Sequence, residues 1–455
     1  MKKILILFSV ILFAFNAAAQ NDTTAVEKHS KKDIVKKGIS FGPLPVVAFD
    51  ADKGFQYGGL LNIYDFGDGS HYPQPRQQWY IEASAYTKGT QQYFLTYDTR
   101  HLIPKVRMSL ATTIMYDKAM DFYGFNGYQS VYKPDSLTAF FRLERLAFSA
   151  KADFVGNIWE NKLFWQAGYY FSSYRYRSID VAGINKGKPE AEKFSGQTLY
   201  EKYIEWGIIP QNEKKGGLTS ALRVGLMYDT RDFEAAPAHG IWAEANITLA
   251  PKFLGTTHSY FRYMLSLRQY LPLLEDQLTF AYRLNYQGSI GNYLPYYIMP
   301  VFSNIGKEYD RDGIGGYRTV RGIMRDRVQG LDVAFLNAEL RWKFTRFHLL
   351  KQNIYLGLNA FCDGGIVTRN YNTAFNPKDE NGQNIPQTDP NYALIWQDYN
   401  KYVNAAKADG LHLATGGGFR IAINQNFIIA VDYAMPLNKQ DGKKGSLYIN
   451  TGFLF

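Results

Sequence analysis

Leu278-Thr279-Phe280-Ala281-Tyr282-Arg283-Leu284-Asn285-Tyr286-Gln287 alternates large apolar side chains with small or polar ones at every second position. A strict period of two is the pattern of a β-strand with one apolar and one polar face. The segment 332–344 repeats this alternation. Many further segments share the pattern and none offers the core of a soluble protein, so we expect lipid to cover the apolar faces. The pattern predicts an all-β fold, a transmembrane antiparallel β-barrel.

The chain holds about sixteen candidate strands of the length that a tilted membrane strand needs. The predicted strands are 39–49, 55–65, 77–87, 91–100, 105–116, 139–154, 162–176, 218–229, 240–250, 258–271, 277–288, 332–344, 353–363, 411–423, 427–435 and 445–455. Short turns alternate with long polar loops at 117–138, 177–217, 289–331 and 364–410. Barrels of the outer membrane have short periplasmic turns and long extracellular loops, so we expect the long loops outside and both termini in the periplasm. A soluble β-sandwich is the alternative.

The N-terminal region has the pattern of an export signal. Residues 1–20 combine two lysines, an apolar run and Ala17-Ala18-Ala19, as in a cleaved signal peptide. Residues 21–38 are polar and lysine-rich, which predicts a flexible leader, and 39–455 form the predicted barrel. No later segment has the ~18 uninterrupted apolar residues of a spanning helix. The predicted location is the outer membrane of a Gram-negative cell.

The composition supports a membrane barrel and restricts the classes of partner that we expect. The chain has 35 Tyr and 31 Phe, which suits aromatic girdles at the two membrane surfaces. Its net charge is +10, but export and the lack of long basic blocks argue against nucleic acid and favour anionic lipid headgroups. Cys362 is the single cysteine, which excludes an intramolecular disulfide.

Four motifs stand at informative places along the predicted strands and loops. They are Gly315-Gly316-Tyr317-Arg318-Thr319-Val320-Arg321-Gly322 in a long loop, Phe361-Cys362-Asp363-Gly364-Gly365 at the end of a strand, Asp229-Thr230-Arg231-Asp232 at a strand-turn boundary, and Phe455 after a final alternating strand. Each motif alone is weak. Together, in this order and on these elements, they resemble the bacterial surface antigen barrels of the BamA/TamA outer-membrane assembly superfamily, over the whole chain from about residue 39.

The resemblance implies a lumenal ion pair. In the family, the sixth surface loop folds back into the barrel and its arginine, here Arg321, is held by the carboxylate of a Phe-x-Asp-x-Gly motif, here Asp363. The alternation in 353–363 independently puts Asp363 on the polar, lumen-facing side. The alternative is a solvated loop arginine. Gly315, Gly316 and Gly322 would allow tight turns. Ile323 departs from the family, which usually has an aromatic residue there.

The resemblance also implies a function: assistance in the insertion or translocation of proteins or lipids through a seam between the first and last strands. Pro43 and Pro45 lie two apart in the first strand, so both missing N–H groups point to the same neighbour. That neighbour is either the last strand, ending at Phe455, or the second strand. Only about twenty residues of the predicted mature chain precede the first strand, so we expect no client capture by the periplasmic domains that assembly machines of the family carry.

The alternative function is a passive pore or structural barrel without assembly activity. No catalytic or phosphate-binding motif is present, and seven histidines show no metal-ligand spacing, so we expect neither an enzyme nor a cofactor or metal. His412 falls on the polar side of its strand and has no identifiable serine partner for hydrolysis. The expected partners are outer-membrane lipids and lipopolysaccharide, barrel-assembly machinery, and client membrane proteins or lipoproteins.

Overall fold

The computed structural model describes residues 37–51, 53–70, 75–233, 236–303, 313–349, 352–423, 427–442, 444–451 and 453–455. The predicted signal peptide and most of the predicted leader lie outside these ranges. Within the ranges, no helix is long and apolar enough to cross a membrane.

Sixteen antiparallel strands close into one barrel, which confirms the predicted fold class. In chain order the strands are β1 Ile39–Asp50, β2 Gly54–Asp65, β3 Gln77–Tyr86, β4 Thr90–Ile103, β5 Val106–Asp121, β6 Arg142–Trp159, β7 Leu163–Arg177, β8 Gly216–Asp229, β9 Gly240–Ala250, β10 Tyr260–Leu274, β11 Leu278–Ser289, β12 Asp332–Leu349, β13 Gln352–Arg369, β14 His412–Ile423, β15 Phe427–Pro436 and β16 Ser446–Thr451. Alternation assigns the faces as expected. In β11, for example, Leu284 is exposed on the outside while Arg283 is buried in the lumen.

The two ends of the barrel differ. One end, the short-turn end, carries compact connections such as 160–162 and 275–277. The other, the long-loop end, carries 122–141, 178–215, 290–331 and 370–411, with helices α1 Val181–Asn185, α2 Leu199–Glu205 and α3 Tyr392–Tyr402. These four loops share one aromatic core and are called the cap below. The rings of Phe125 and Tyr203 meet edge-to-face at 5.4 Å within it. The cap therefore covers the long-loop mouth of the barrel.

The barrel closes where β1 meets β16, and this contact is short. Among the described residues β1 pairs with β16 only at Phe49↔Ile449 and Asp50↔Tyr448. The same strand pairs with β2 at all twelve of its residues. Pro43 and Pro45 stand opposite Leu61 and Gly59 of β2, away from the two closing pairs.

The last strand is shorter than predicted. It ends at Thr451, so the prediction that the strand 445–455 continues to Phe455 is wrong. The Arg341 guanidinium lies 4.3 Å from the ring centroid of Phe453 and 4.8 Å from that of Phe455. Arg341 also donates to the backbone oxygen of Phe455 at 2.8 Å. Cation–π contacts with an inward arginine thus hold the final aromatic residues inside the lumen.

Candidate functional site: an arginine loop held by the barrel wall

The loop 290–331 connects β11 and β12 and enters the lumen; we call it the inward loop. Its tip is a tight backbone turn. Gly315 has φ of 121°, and a Cβ at that position would lie 2.0 Å from the Met324 carbonyl oxygen. Gly316 N–H donates to the Ile323 carbonyl at 2.8 Å, and Gly315 N–H donates to Thr319 Oγ1 at 2.9 Å. Glycine is required where the chain reverses at this distance.

Arg321 lies at this tip and contacts Asp363 of β13 by two parallel hydrogen bonds. Arg321 Nε donates to Asp363 Oδ2 at 2.8 Å, and its Nη2 donates to Oδ1 at 3.1 Å. The backbone N–H of Arg321 adds a third bond to Oδ2 at 3.1 Å. Both side chains are fully buried. The bidentate geometry fixes the orientation of the guanidinium as well as its position.

Two further carboxylates complete the site, and the sequence analysis missed both. Glu339 of β12 lies 2.6 Å from Arg321 Nη2, and Asp432 of β15 lies 3.3 Å from Nη1. Arg341 pairs with Glu339 at 2.7 Å and Arg420 with Asp432 at 2.8 Å. Three guanidiniums thus face three carboxylates, which balances the buried charge. The signal available in the sequence was their inward phase on alternating strands.

Apolar contacts press the same loop against the wall. The Arg321 guanidinium lies 3.5 Å from the ring centroid of Phe361, the aromatic residue of the Asp363 motif. Val320 and Ile323 are fully buried in a cluster with wall residues such as Val333 and Phe335. Ile323 therefore makes an aliphatic contact at a position where the family usually has an aromatic residue.

The glycines of the two motifs allow this close approach of loop and wall. A Cβ on Gly365 would lie 2.6 Å from Ile314 Cγ2, and one on Gly364 would lie 2.9 Å from Leu413 Cδ2. Gly322 has φ of 86°, and a Cβ there would be 3.0 Å from that of Ala434. A side chain at Gly365 or Gly322 would displace the loop or the adjoining strand, whereas one at Gly364 would first meet the end of the Leu413 side chain on β14.

The inward loop also contacts the strand that closes the barrel. Gly322 N–H donates to the Tyr448 hydroxyl at 3.2 Å, and the rings of Tyr317 and Tyr448 have centroids 5.6 Å apart. Tyr448 belongs to β16 and is paired with Asp50 of β1, so it forms half of one of the two closing pairs. The loop that carries Arg321 is thereby connected to the β1–β16 contact.

The strand-turn motif lies elsewhere, between β8 and β9 at the short-turn end. Arg231 donates to Asp229 by two bonds of 2.9 and 2.7 Å. The Thr230 hydroxyl accepts from Ile241 N at 3.0 Å, and Asp232 accepts from Ala238 N at 3.0 Å. These bonds stabilise the turn. The structure does not bring the motif to Arg321.

A second charged cluster joins the cap, centred on His412 at the start of β14. His412 Nδ1 is 2.6 Å from Asp441 and its Nε2 is 3.0 Å from Asp409, while the Tyr128 ring stacks on the imidazole at 3.9 Å. Because both nitrogens face carboxylate oxygens, this arrangement favours the doubly protonated, cationic form of the ring. Burial disfavours ionisation of Asp409, but hydrogen bonds from His412, Tyr128 and Val367 outweigh it and lower the pKa of this carboxyl.

Arg327 of the inward loop reaches the same cluster and was also missed. Its guanidinium donates to the carbonyl oxygens of Gln440, Gly127 and Ser130 at 2.8, 3.0 and 3.0 Å. It lies 3.8 Å from Asp441, the partner of His412. Four connections at the long-loop end, 122–141, 290–331, 370–411 and 437–445, therefore meet around His412 and Arg327.

Over the ranges that the structure describes, no group of three His, Cys, Asp or Glu side chains is arranged to hold a metal.

The barrel, the inward loop and its buried arginine define a closed sixteen-stranded β-barrel with a surface loop anchored in its lumen. The chain belongs to the Omp85 superfamily: the model of the Omp85 superfamily domain matches residues 77–455. This confirms the resemblance noted in the sequence.

Two of the solved structures that are similar to this chain share its fold over more than nine-tenths of its length. BamA from Haemophilus ducreyi lacking POTRA domains 1–3 has a TM-score of 0.54 and 14% identity, over 92% of this chain and 70% of that one. CdiB from Escherichia coli has a TM-score of 0.53 and 11% identity, over 98% and 71%. At such identities the likeness establishes the shared fold. No curated protein matches the chain significantly.

Proposed function

We propose that this protein resides in the outer membrane of a Gram-negative cell and assists the insertion or translocation of proteins or lipids through a seam between β1 and β16. Its long-loop end faces outward. The chain performs no catalysis in this role. Clients would be membrane proteins, lipoproteins or lipids, with or without a separate barrel-assembly machinery.

The observation that carries this proposal is the short pairing of β1 with β16. Two residue pairs join these strands in the described part of the chain, against six between β15 and β16. Each ladder hydrogen bond that must break raises the free energy of opening, so the β1–β16 contact is the easiest place to part the wall. The bond from Gly322 to Tyr448 connects the inward loop to that place.

The filled lumen favours assisted insertion over a passive pore. The inward loop occupies the interior through Arg321, and the aromatic cap covers the long-loop mouth. A passive pore requires a continuous aqueous path, which these elements obstruct. Reconstitution into planar bilayers distinguishes the two roles, since a pore gives stable single-channel conductance and the proposed protein gives little.

The register of the seam allows a direct test. Phe49 stands opposite Ile449 across the seam and opposite Phe55 across the ordinary β1–β2 ladder. In a Cys362→Ser background, Phe49→Cys with Ile449→Cys would bridge the seam. Phe49→Cys with Phe55→Cys is the matched control, since it bridges the same residue to the other neighbour and leaves the seam free.

We expect the oxidised seam bridge to abolish the insertion of an outer-membrane client into vesicles containing this protein. Reductant should restore insertion, and the oxidised control should be as active as the parent. Bridge formation is verified by mass. If a fully oxidised seam bridge leaves insertion unchanged, the seam is not the route.

A further inference from the structure

The outer surface of β7 and β8 changes from apolar to cationic near the long-loop end. Tyr169, Leu218 and Leu222 are exposed on the outward face. Farther along the same face, Arg175 stands opposite Gly216, two positions beyond the pair of Ser173 and Leu218. A cation directly beyond an exposed apolar strip is the arrangement found where a membrane protein meets lipid headgroups.

A groove of about 510 Å³ lies at this transition. Its lining includes Ser173, Arg175, Arg177, Lys215, Leu218 and Thr257. Gly216 and Gly217 also line it and contribute no side chain, so the groove stays open between the cations and the apolar strip.

The charge in the groove is positive. Arg177 is paired with Glu144 at 2.6 Å, which neutralises it. Arg175 and Lys215 are exposed, and across the described residues neither has a carboxylate partner at ion-pair distance. An arginine fork beside a lysine ammonium is suited to phosphate, which accepts several hydrogen bonds at once.

We propose that this groove binds the phosphorylated headgroup of an outer-leaflet lipid. Arg175 and Lys215 contact the phosphate, and the acyl chains lie along Leu218, Leu222 and Tyr169. The adjoining apolar strip is what selects a lipid over a free phosphate ion, because only a lipid satisfies both surfaces. This site goes beyond the seam proposal: it requires the barrel to lie in a membrane with its long-loop end outward and does not require the seam to open.

Native mass spectrometry of the full chain in a neutral maltoside detergent tests the site. The probes are dioctanoyl phosphatidic acid, dioctanoyl phosphatidylcholine and inorganic phosphate. We expect phosphatidic acid to bind the parent more tightly than phosphatidylcholine. Arg175→Gln with Lys215→Gln should weaken its first binding step at least about tenfold, because two charge-assisted contacts are lost. Each single variant should show an intermediate loss, and heat-dependent gel migration verifies that all variants are folded.

The matched control is Lys186→Gln with Lys188→Gln, which removes the same charge from exposed lysines after α1. This control should bind phosphatidic acid as the parent does. An equal loss in the control, or no loss in the groove variants, overturns the proposal. Displacement of the lipid by inorganic phosphate at equal concentration would also overturn it, since the site would then be an anion site without lipid selectivity. None of these outcomes depends on insertion activity, so the result is separate from the test of the seam.

Discussion

Arg321 and Arg327 lie six residues apart on the same loop, and both are fully buried, yet they hold different partners. Arg321 contacts three carboxylates, from β12, β13 and β15 of the barrel wall. Arg327 contacts backbone carbonyls of other loops, and its nearest carboxylate, Asp441, is 3.8 Å away. Arg321 anchors the inward loop to the barrel wall, and Arg327 joins the inward loop to neighbouring loops at the long-loop end.

The difference separates two kinds of stability. Loss of Arg321 leaves buried carboxylates inside the barrel without their partner, and an uncompensated buried charge is costly. Loss of the second leaves neutral carbonyl oxygens without a donor, and a neutral unpaired acceptor costs less than an uncompensated charge. We therefore expect the two sites to fail differently: the wall site changes the stability of the whole barrel, and the cap site changes local opening.

The largest effect is expected for Arg321→Ala. Removing the guanidinium leaves Asp363, Glu339 and Asp432 with too little positive charge, which typically costs about 3 to 5 kcal/mol of unfolding free energy. Urea unfolding in detergent micelles, followed by tryptophan fluorescence, measures the loss. The variant should also increase protease cleavage near Gly315, because the loop tip is released.

The control for this prediction is Arg321→Lys, which keeps the charge but loses the bidentate geometry. It should recover only part of the stability. A double-mutant cycle with Asp363→Asn isolates the pair from its neighbours. If Arg321→Ala and the parent unfold at the same urea concentration, the wall site has no structural role.

A smaller and more local effect is expected for Arg327→Ala. The three carbonyl oxygens lose a charged donor, which reduces local stability by about 2 to 3 kcal/mol. Hydrogen exchange of the cap loops 122–141 and 370–411 should accelerate, and conductance in planar bilayers should rise as the mouth loosens. The urea midpoint of the barrel should change less than for Arg321→Ala.

Arg318→Ala is the matched control on the same loop, because Arg318 is exposed and its backbone carbonyl, which accepts from Arg283, remains. It should leave cap exchange unchanged. The proposed difference between the two arginines is wrong if Arg327→Ala lowers the global free energy of unfolding as much as Arg321→Ala does. The cap and the barrel wall would then unfold as one cooperative unit.

The same contrast explains how much could be predicted from the sequence. Arg321 and Asp363 each lie in a motif, and the period of two gives the inward direction of Asp363, so their pairing could be anticipated. Glu339 and Asp432 show only their inward phase, which does not identify a partner. Arg327 binds main-chain oxygens, which every residue has, so no residue type in the sequence marks its partners.

The end of the last strand shows a second limit of the pattern. Alternation continues to Phe455, and so predicts a strand to the end of the sequence. The structure turns these residues inward, where Arg341 stacks on Phe453 and Phe455. Period-two patterning records which side chains share a face. It does not indicate whether the following residues continue to pair in the sheet or turn away from it. Here that outcome depends on Arg341, which is more than 100 positions from Phe455.

The smallest effect is expected at His412, and it tests whether the cap is held by charge. His412→Gln removes the cation between Asp409 and Asp441, and we expect it to lower local cap stability by about 1 to 2 kcal/mol. The pKa of Asp409 is lowered in the folded protein, so this carboxyl contributes stability above its unfolded pKa of roughly 4, and the contribution is lost as the pH falls through the folded value. Cap opening in the parent should therefore increase as the pH is lowered from about 5 to about 3. Limited digestion with an acid-active protease measures this opening. In His412→Gln this pH dependence should be weaker, because Asp409 has lost the partner that lowers its pKa. An identical acid response in parent and variant would show that the histidine does not hold the cap through charge, and that Arg327 and the aromatic core are sufficient.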